Sequence, residues 1–312
     1  MATSAKKKIL AAVDQSPQAA EAVRYLGSML SPQDYELVLF HVAGKIPDAV
    51  TLFESHPHTQ GVVLGDIEMW EKEEVKSVQD HLDKLRSELI AAGWPAEAVQ
   101  VKIQKKAVGY ARDIMIESRK GYHAVALGRR GLSPLKDFVL GSLATKLASH
   151  LHHLPVWVVG GAPRKSKLLL GLDGSGYCKR CAEYLVDTLK GRDLEVCLVH
   201  VVRSVEEVRS VVAAVLPAGV EEKLREEAVK AIEPIMAEAS QVLTKGGFKV
   251  TTKFITDVSS VEGAIVDLAR AGGYQTIVLG RRGLSLVEEF MMGRVSDKTL
   301  SLADQMAVWV IN

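Results

Sequence analysis

One spacing occurs twice in this chain. Residues 128–142 read GRRGLSPLKDFVLGS and residues 280–294 read GRRGLSLVEEFMMGR. Gly128, Gly131 and Gly141 thus stand in the same relation as Gly280, Gly283 and Gly293: two residues between the first pair, nine between the second. Each copy follows a short apolar strand, AVAL or TIVL, and precedes an amphipathic helix. Such a loop is strongly constrained. The first amides of a helix lack intrahelical acceptors and carry partial positive charge, so a strand-to-helix glycine loop can cradle an anion. Glycine permits both close backbone approach and unusual dihedrals.

The duplication runs the length of the chain. KKKILAAVDQS matches KLLLGLDGS and aligns Asp14 with Asp173; ELVLFHV matches LEVCLVHV and aligns His41 with His200. PVWVVG matches AVWVIN and aligns Trp157 with Trp309. The offset is 159 residues early and 152 late, so the length change falls between, where loops differ. GGAPRKS, rich in turn residues, reads as a linker over 161–166 between a first unit at 1–160 and a second at 167–312.

Within each copy strands and helices alternate. Strands are expected near 8–13, 36–42, 99–104, 123–127 and 155–159, then near 167–172, 194–202, 248–255, 275–279 and 306–311. Most are continuous apolar runs, as for parallel strands covered on both faces. VQVKI and FKVTTKF alternate instead, which suits a sheet edge. Ser16-Pro17 reads as an N-cap followed by proline at the first helical position, with Ala19, Ala22, Val23 and Leu26 on one stripe. Val75, Val78, Leu82, Leu85 and Leu89 mark a long second helix. Its counterpart carries Leu224, Ala228, Ile232, Ile235, Ala239 and Val242, with Pro234 as an expected kink. The class is α/β, with open, doubly wound parallel sheets whose ligands sit at the carboxyl ends of the strands.

Composition narrows the function. Of 312 residues, 47% are hydrophobic and 25% charged, with net charge +1. That balance argues against a nucleic-acid binder, and no apolar run approaches a membrane span. KKK is followed by only ILAAV, too short for a signal-peptide core, so the expected location is cytoplasmic. Three cysteines form no disulfide framework. P-loop, nucleophile-elbow, zinc-protease and dinucleotide fingerprints are all absent from the sequence.

The pattern G-x2-G-x9-G-[S/T] after the fourth strand, with an aspartate closing the first, resembles the universal stress protein family, here as two tandem domains over essentially the whole chain. The resemblance implies two five-stranded parallel Rossmann-like sheets of order 3-2-1-4-5 with helices on both faces. It also implies dimer-like pairing through the last strands, PVWVV with AVWVI, as an internal pseudo-dimer, with a homodimer as a further form. It implies an adenine nucleotide (ATP, ADP or AMP), with magnesium or manganese accompanying it, as ligand. Asp14 would contact the adenosine. Ala12, Val42, Leu127 and Gly128 would line the base pocket. Gly131, Gly141, Ser142 and Leu143 would approach the phosphates. In the second copy the matching positions are Gly171, Asp173, Val201, Gly280, Gly283, Gly293, Arg294, Val295 and Ser296. The second copy departs from the pattern at Arg294, where the first has Ser142. That arginine can bind phosphate as a cationic fork, fill the pocket, or pair with Glu288 or Glu289. Ser296 restores a hydroxyl two residues on. The first site is therefore the better candidate.

Other features are weighed as follows. Arg129, Arg130, Arg281 and Arg282 read as a solvated loop or an interface contact rather than a phosphate screen. Cys178 and Cys181 form a CxxC, but they align with Ala19 and Ala22 on the core stripe, so packing is expected rather than redox or metal chemistry. His150, His152 and His153, and His56 and His58, fix no metal geometry. His41 and His200 read as hydrogen-bonded core residues. Three classes of function follow: a nucleotide-binding stress sensor, a nucleotide-free interaction scaffold, and a slow ATPase, the last disfavoured because only Asp137 offers a base within the loop.

Overall fold

The computed structural model describes residues 5–44, 60–132, 140–161, 167–203, 220–281 and 292–312. The first repeat runs β1 (Lys7–Ala12), α1 (Pro17–Met29), β2 (Tyr35–Ala43), α2 (Gln60–Ala91), β3 (Val99–Lys105), α3 (Tyr110–Ser118), β4 (Ala124–Gly128), α4 (Ser142–His150) and β5 (Val156–Val159). The second runs β6 (Lys167–Gly171), α5 (Tyr177–Leu189), β7 (Glu195–Arg203), α6 (Val220–Lys245), β8 (Lys249–Val258), α7 (Val261–Gly272), β9 (Thr276–Gly280), α8 (Arg294–Leu302) and β10 (Ala307–Ile311).

Each repeat has the order 3-2-1-4-5, and the two join into one ten-stranded sheet, β3-β2-β1-β4-β5-β10-β9-β6-β7-β8. Every pairing within a repeat is parallel, while β5 and β10 meet antiparallel with Trp157 opposite Trp309. The alternating strands, β3 and β8, lie at the two edges. Alternation of side chains along each strand sends neighbours to opposite layers. Ile9 and Ala11 join α1 and α2 in one core, while Leu10 and Ala12 join α3 and α4 in the other.

Local signals account for the helices. Ser16 caps α1 by accepting from the Ala19 amide at 3.2 Å, with Pro17 next in line. The α2 stripe buries Val78, Leu82, Leu85 and Leu89. Among the described side chains of α6, Met236, Ala239 and Leu243 are the deepest, with Ile232, Ile235 and Val242 beside them; Leu224 lies outside the described side chains. Cys178 and Cys181 are buried with Leu185 on the same helical face. Burial raises both thiol pKa values, that of Cys181 to about 12, so neither is a poised thiolate.

The two halves share a packed seam. The indoles of Trp157 and Trp309 stack with centroids 3.9 Å apart and planes within 4°, both fully buried. Around them, Tyr25 Oη lies 2.9 Å from Thr276 Oγ1, and Tyr35 Oη donates to Thr188 O at 3.1 Å. His123 stacks on Tyr184 at 5.0 Å and lies 3.0 Å from Thr188 Oγ1 through Nε2.

Candidate functional site

The carboxyl ends of β1, β2 and β4 open into a cavity of about 880 Å³. Strand packing positions its floor: Ala12, Val42 and Leu127 are buried there. Asp14 follows β1 and is held by the turn it begins, its Oδ1 accepting from the Ser16 amide at 3.0 Å and from Ser16 Oγ at 2.5 Å. His41 fastens the end of β2 to β1, with Nδ1 2.7 Å from Val13 O; His200 repeats this on Leu172 O at 2.7 Å. Both histidines are thus structural ties between strands.

The glycine loop closes on itself. Gly141 donates its amide to Arg129 O at 2.8 Å, drawing the start of α4 back to the end of β4. The helix has no side-chain cap at Gly141, and its first hydrogen bond runs from the Thr145 amide to Gly141 O at 3.0 Å. The amides of Ser142, Leu143 and Ala144 therefore lack intrahelical acceptors, with the helix dipole behind them. The glycines serve space rather than dihedral freedom, since none of Gly128, Gly131 and Gly141 has positive φ. A Cβ on Gly128 would come within 2.8 Å of Gln18 C and 2.9 Å of Ala19 N. One on Gly131 would strike Asp14 Oδ2, and one on Gly141 would lie 3.1 Å from Arg129 O. The three glycines thus let the loop pack against α1, Asp14 and its own backbone, which fixes the position of the α4 start.

The cavity gathers more than the motif suggests. Glu74 from α2, Tyr110 and Arg112 from α3, and Arg130, Lys146 and His150 also line it. Lys146 was findable, because it sits one helical turn beyond Ser142. Tyr110 and Arg112 follow the end of β3, a position that the carboxyl-end rule marks but that no motif names. Arg130 and Lys146 are exposed side chains that line the cavity and add positive charge to it. Leu143 lines the cavity beside Ser142.

The second repeat keeps the frame and changes the chemistry. Gly293 donates to Arg281 O at 2.8 Å and starts α8 without a side-chain cap, as Gly141 does. Ser296, however, is buried and donates to Gly280 O at 2.7 Å. It occupies the sheet-facing position of Ala144, so it does not replace the hydroxyl of Ser142. Arg294 is exposed and Val295 half-buried. Asp297 already places a carboxylate in the first turn of α8, whereas the first turn of α4 has none. Asp173 Oδ1 accepts from the Ser175 amide at 3.0 Å and faces Cys178 Sγ at 3.6 Å, where the first repeat has Ala19. Gly171 is pressed by Leu279, whose Cδ2 lies 2.5 Å from a built Cβ, and Val201 is buried. Gly283, Glu288, Glu289, Arg282, Asp137, His56 and His58 lie outside the described residues.

Two arginines decide between the alternatives of the sequence reading, in favour of the interface contact. Arg129 and Arg281 are only 1% and 2% exposed, so they belong to an interface and not to a solvated loop. Arg129 donates through Nη1 to Leu300 O, in the opposite repeat. Arg281 returns the contact, donating through Nη1 to Ala148 O and through Nη2 to Leu151 O at 2.6 Å. Burial lowers the pKa of Arg129 to about 10, which leaves it charged at neutral pH. Arg130, by contrast, is exposed as expected.

A duplicated five-stranded sheet of order 3-2-1-4-5, carrying a glycine loop at the carboxyl end of its fourth strand, defines a class of tandem α/β proteins. The model of the universal stress protein family matches twice, over residues 6–160 and 165–311, and the chain belongs to that family. A universal stress protein of Mycolicibacterium smegmatis is 28% identical over 198 residues, 62% of this chain and 63% of the relative, just short of two thirds of its length. Universal stress protein YxiE of Bacillus subtilis is 26% identical over 140 residues, 44% of this chain and 93% of the relative. Among solved structures, a universal stress protein from Archaeoglobus fulgidus superposes with TM-score 0.59 at 18% identity, covering 98% of both chains, a likeness of fold. No helix among the described residues is long and apolar enough to cross a membrane.

Proposed function

We propose that the first repeat binds an adenine nucleotide, with ATP the expected ligand and magnesium or manganese accompanying it, and that occupancy alters the chain's partner contacts under stress. The observation that carries this reading is the convergence, on one 880 Å³ cavity, of Asp14, the close-packed glycines and the uncapped start of α4. The base would lie over Ala12, Val42 and Leu127, and the phosphates would meet the amides of Ser142 and Leu143 with Arg130 and Lys146 nearby. A ligand shifts conformation only if it binds two states unequally, so regulation requires a second state in which this cradle is altered. We propose the second repeat as the weaker site, because Ser296 is committed to Gly280 and Asp297 competes for the start of α8. The reading includes units at 1–160 and 167–312 in a cytoplasmic chain.

The test has two steps. Protein purified without added nucleotide is denatured, and released small molecules are identified by chromatography and mass spectrometry. ATP is then titrated calorimetrically into wild type, Gly141→Val, Ser142→Ala and Ser296→Ala. The proposal expects Gly141→Val and Ser142→Ala to weaken binding and Ser296→Ala to leave it unchanged. Equal tolerance at all three positions, or no binding by wild type, overturns it in favour of a nucleotide-free scaffold. Phosphate release above buffer with either metal present would add a slow ATPase.

A further inference from the structure

We infer that Arg281, a residue of the second repeat, is a positioning residue of the first repeat's cavity. The inference rests on the nucleotide reading of that cavity. Helix α4 has nine residues and lies along the cavity from Ser142, Leu143 and Ala144 at its start through Lys146 to His150 at its end. Its last carbonyls have no intrahelical donors and need partners, the more so because Ala148 and Leu151 are buried. Arg281 supplies them from across the seam, one guanidinium bridging Ala148 O and Leu151 O. A cation at a helix C-terminus also complements the dipole, and the planar fork fixes direction as well as distance. The fork is itself held: Arg281 Nε donates to Asn312 Oδ1, and its backbone amide donates to Ile311 O at 2.6 Å. The start of α4 thus forms the ligand cradle, while the carbonyls at its far end are clamped by the neighbouring repeat's glycine loop.

The mirror-image clamp is poorer. Arg129 reaches Leu300 O, but its Nε and Nη2 have no hydrogen-bond partner among the described residues. The loss at Nε is explained one strand away. Asn312 corresponds to Gly160 in the first repeat, and Gly160 has no side chain to offer. None would fit, since a Cβ there would lie 2.5 Å from Asp304 O, 2.7 Å from Met306 O and 2.9 Å from Arg129 Nε. The full clamp therefore acts on the helix of the first cavity, and the partial clamp acts on α8. A helix this short moves as a rod of roughly 13 Å. Loosening Arg281 shifts the Ser142 and Leu143 amides, although Arg281 touches no ligand.

The experiment uses the full chain, wild type and variants, with two readouts. ATP affinity is measured by calorimetry, and hydrogen exchange is followed for the Ser142–Leu151 segment in nucleotide-free protein. Arg281→Met is expected to weaken ATP binding about tenfold, equivalent to about 1.4 kcal/mol, and to speed exchange in that segment. Arg281→Lys, which cannot bridge both carbonyls, should fall between. Asn312→Ala gives the same direction with a smaller change, and serves if Arg281→Met fails to fold. Tyr25→Phe removes a seam hydrogen bond in the core layer that does not contain α4; it should lower stability without changing affinity. The inference is overturned if wild type binds ATP and the Arg281 and Asn312 variants bind it equally well, whether or not exchange quickens. It is overturned equally if Tyr25→Phe weakens binding as much as they do. Absence of binding by wild type is a different result: it sinks the nucleotide reading and the positioning role together.

Discussion

Acid should weaken the seam between the repeats through one imidazole. His123 sits between Tyr35 and Tyr184, with Thr188 on Nε2 and Lys7 and Asp187 nearby. Burial, helped by the charge of Lys7 and opposed by Asp187, lowers its pKa to about 4. The neutral ring is thus favoured in the folded protein, while the unfolded chain takes up a proton near pH 6.5. Between those values the unfolded state binds more protons, so stability falls as pH drops through that window and levels off below about pH 4. A gap of about 2.5 pKa units corresponds to at most about 3 kcal/mol. The assay is urea denaturation followed by tryptophan fluorescence, comparing wild type with His123→Phe across that pH range. Phenylalanine keeps the stack on Tyr184 and does not titrate. It should cost about 1 kcal/mol at neutral pH, because Thr188 loses a partner. It should then lose less stability in acid, so that the two curves converge or cross by about pH 4. Carboxylates such as Glu117 contribute to both proteins and cancel in the comparison. Identical pH dependence in the two proteins would refute the argument.

Three further outcomes are expected. Trp157→Ala empties half of a fully buried indole stack and should cost about 3–5 kcal/mol in thermal or urea denaturation; a loss below 1 kcal/mol would mean that the seam is not packed as described. Gly128→Ala should destabilise the chain by about 1–3 kcal/mol and reduce ATP binding, because its Cβ meets the backbone of Gln18 and Ala19, which cannot swing aside; neutral behaviour in both assays would be contrary. The thiols of Cys178, Cys181 and Cys197 are all buried and should react with an aromatic disulfide reagent only on unfolding; rapid reaction of native protein would contradict the packing reading.

Much of the frame was legible because strand burial writes itself into composition. Runs such as ILAAV and LLLG marked central strands, and the alternation in VQVKI and FKVTTKF placed β3 and β8 at the edges where they lie. The pairing of PVWVV with AVWVI followed from the family resemblance, and the antiparallel register of Trp157 on Trp309 agrees with it. What sequence leaves open is which acceptors the arginines find across the seam. Arg129 and Arg281 sit in loops, where charge ordinarily meets water, and their acceptors lie more than a hundred residues away in the chain. The motif marks the glycines, and of the two reasons a sequence offers for them, close approach governs at Gly128, Gly131 and Gly141, and dihedral freedom does not. Ser296 misled because proximity in sequence to the lost Ser142 hydroxyl suggested replacement. Its alignment with Ala144, on the inward stripe of the helix, was the better guide.

The antiparallel junction of β5 with β10 has a consequence for how the two halves can diverge. When separate identical chains associate about a twofold axis, any substitution is imposed on both sides at once, and their association depends on concentration. Covalent linkage removes both conditions: each half meets the other at a fixed, high effective concentration, and each can change alone. Gly160 on one side with Asn312 on the other, or Ser142 against Arg294, are pairs that a symmetric assembly could not hold. The chain has the shape of a dimer and the freedom of a heterodimer, so one half can specialise in holding a ligand while the other specialises in holding its neighbour.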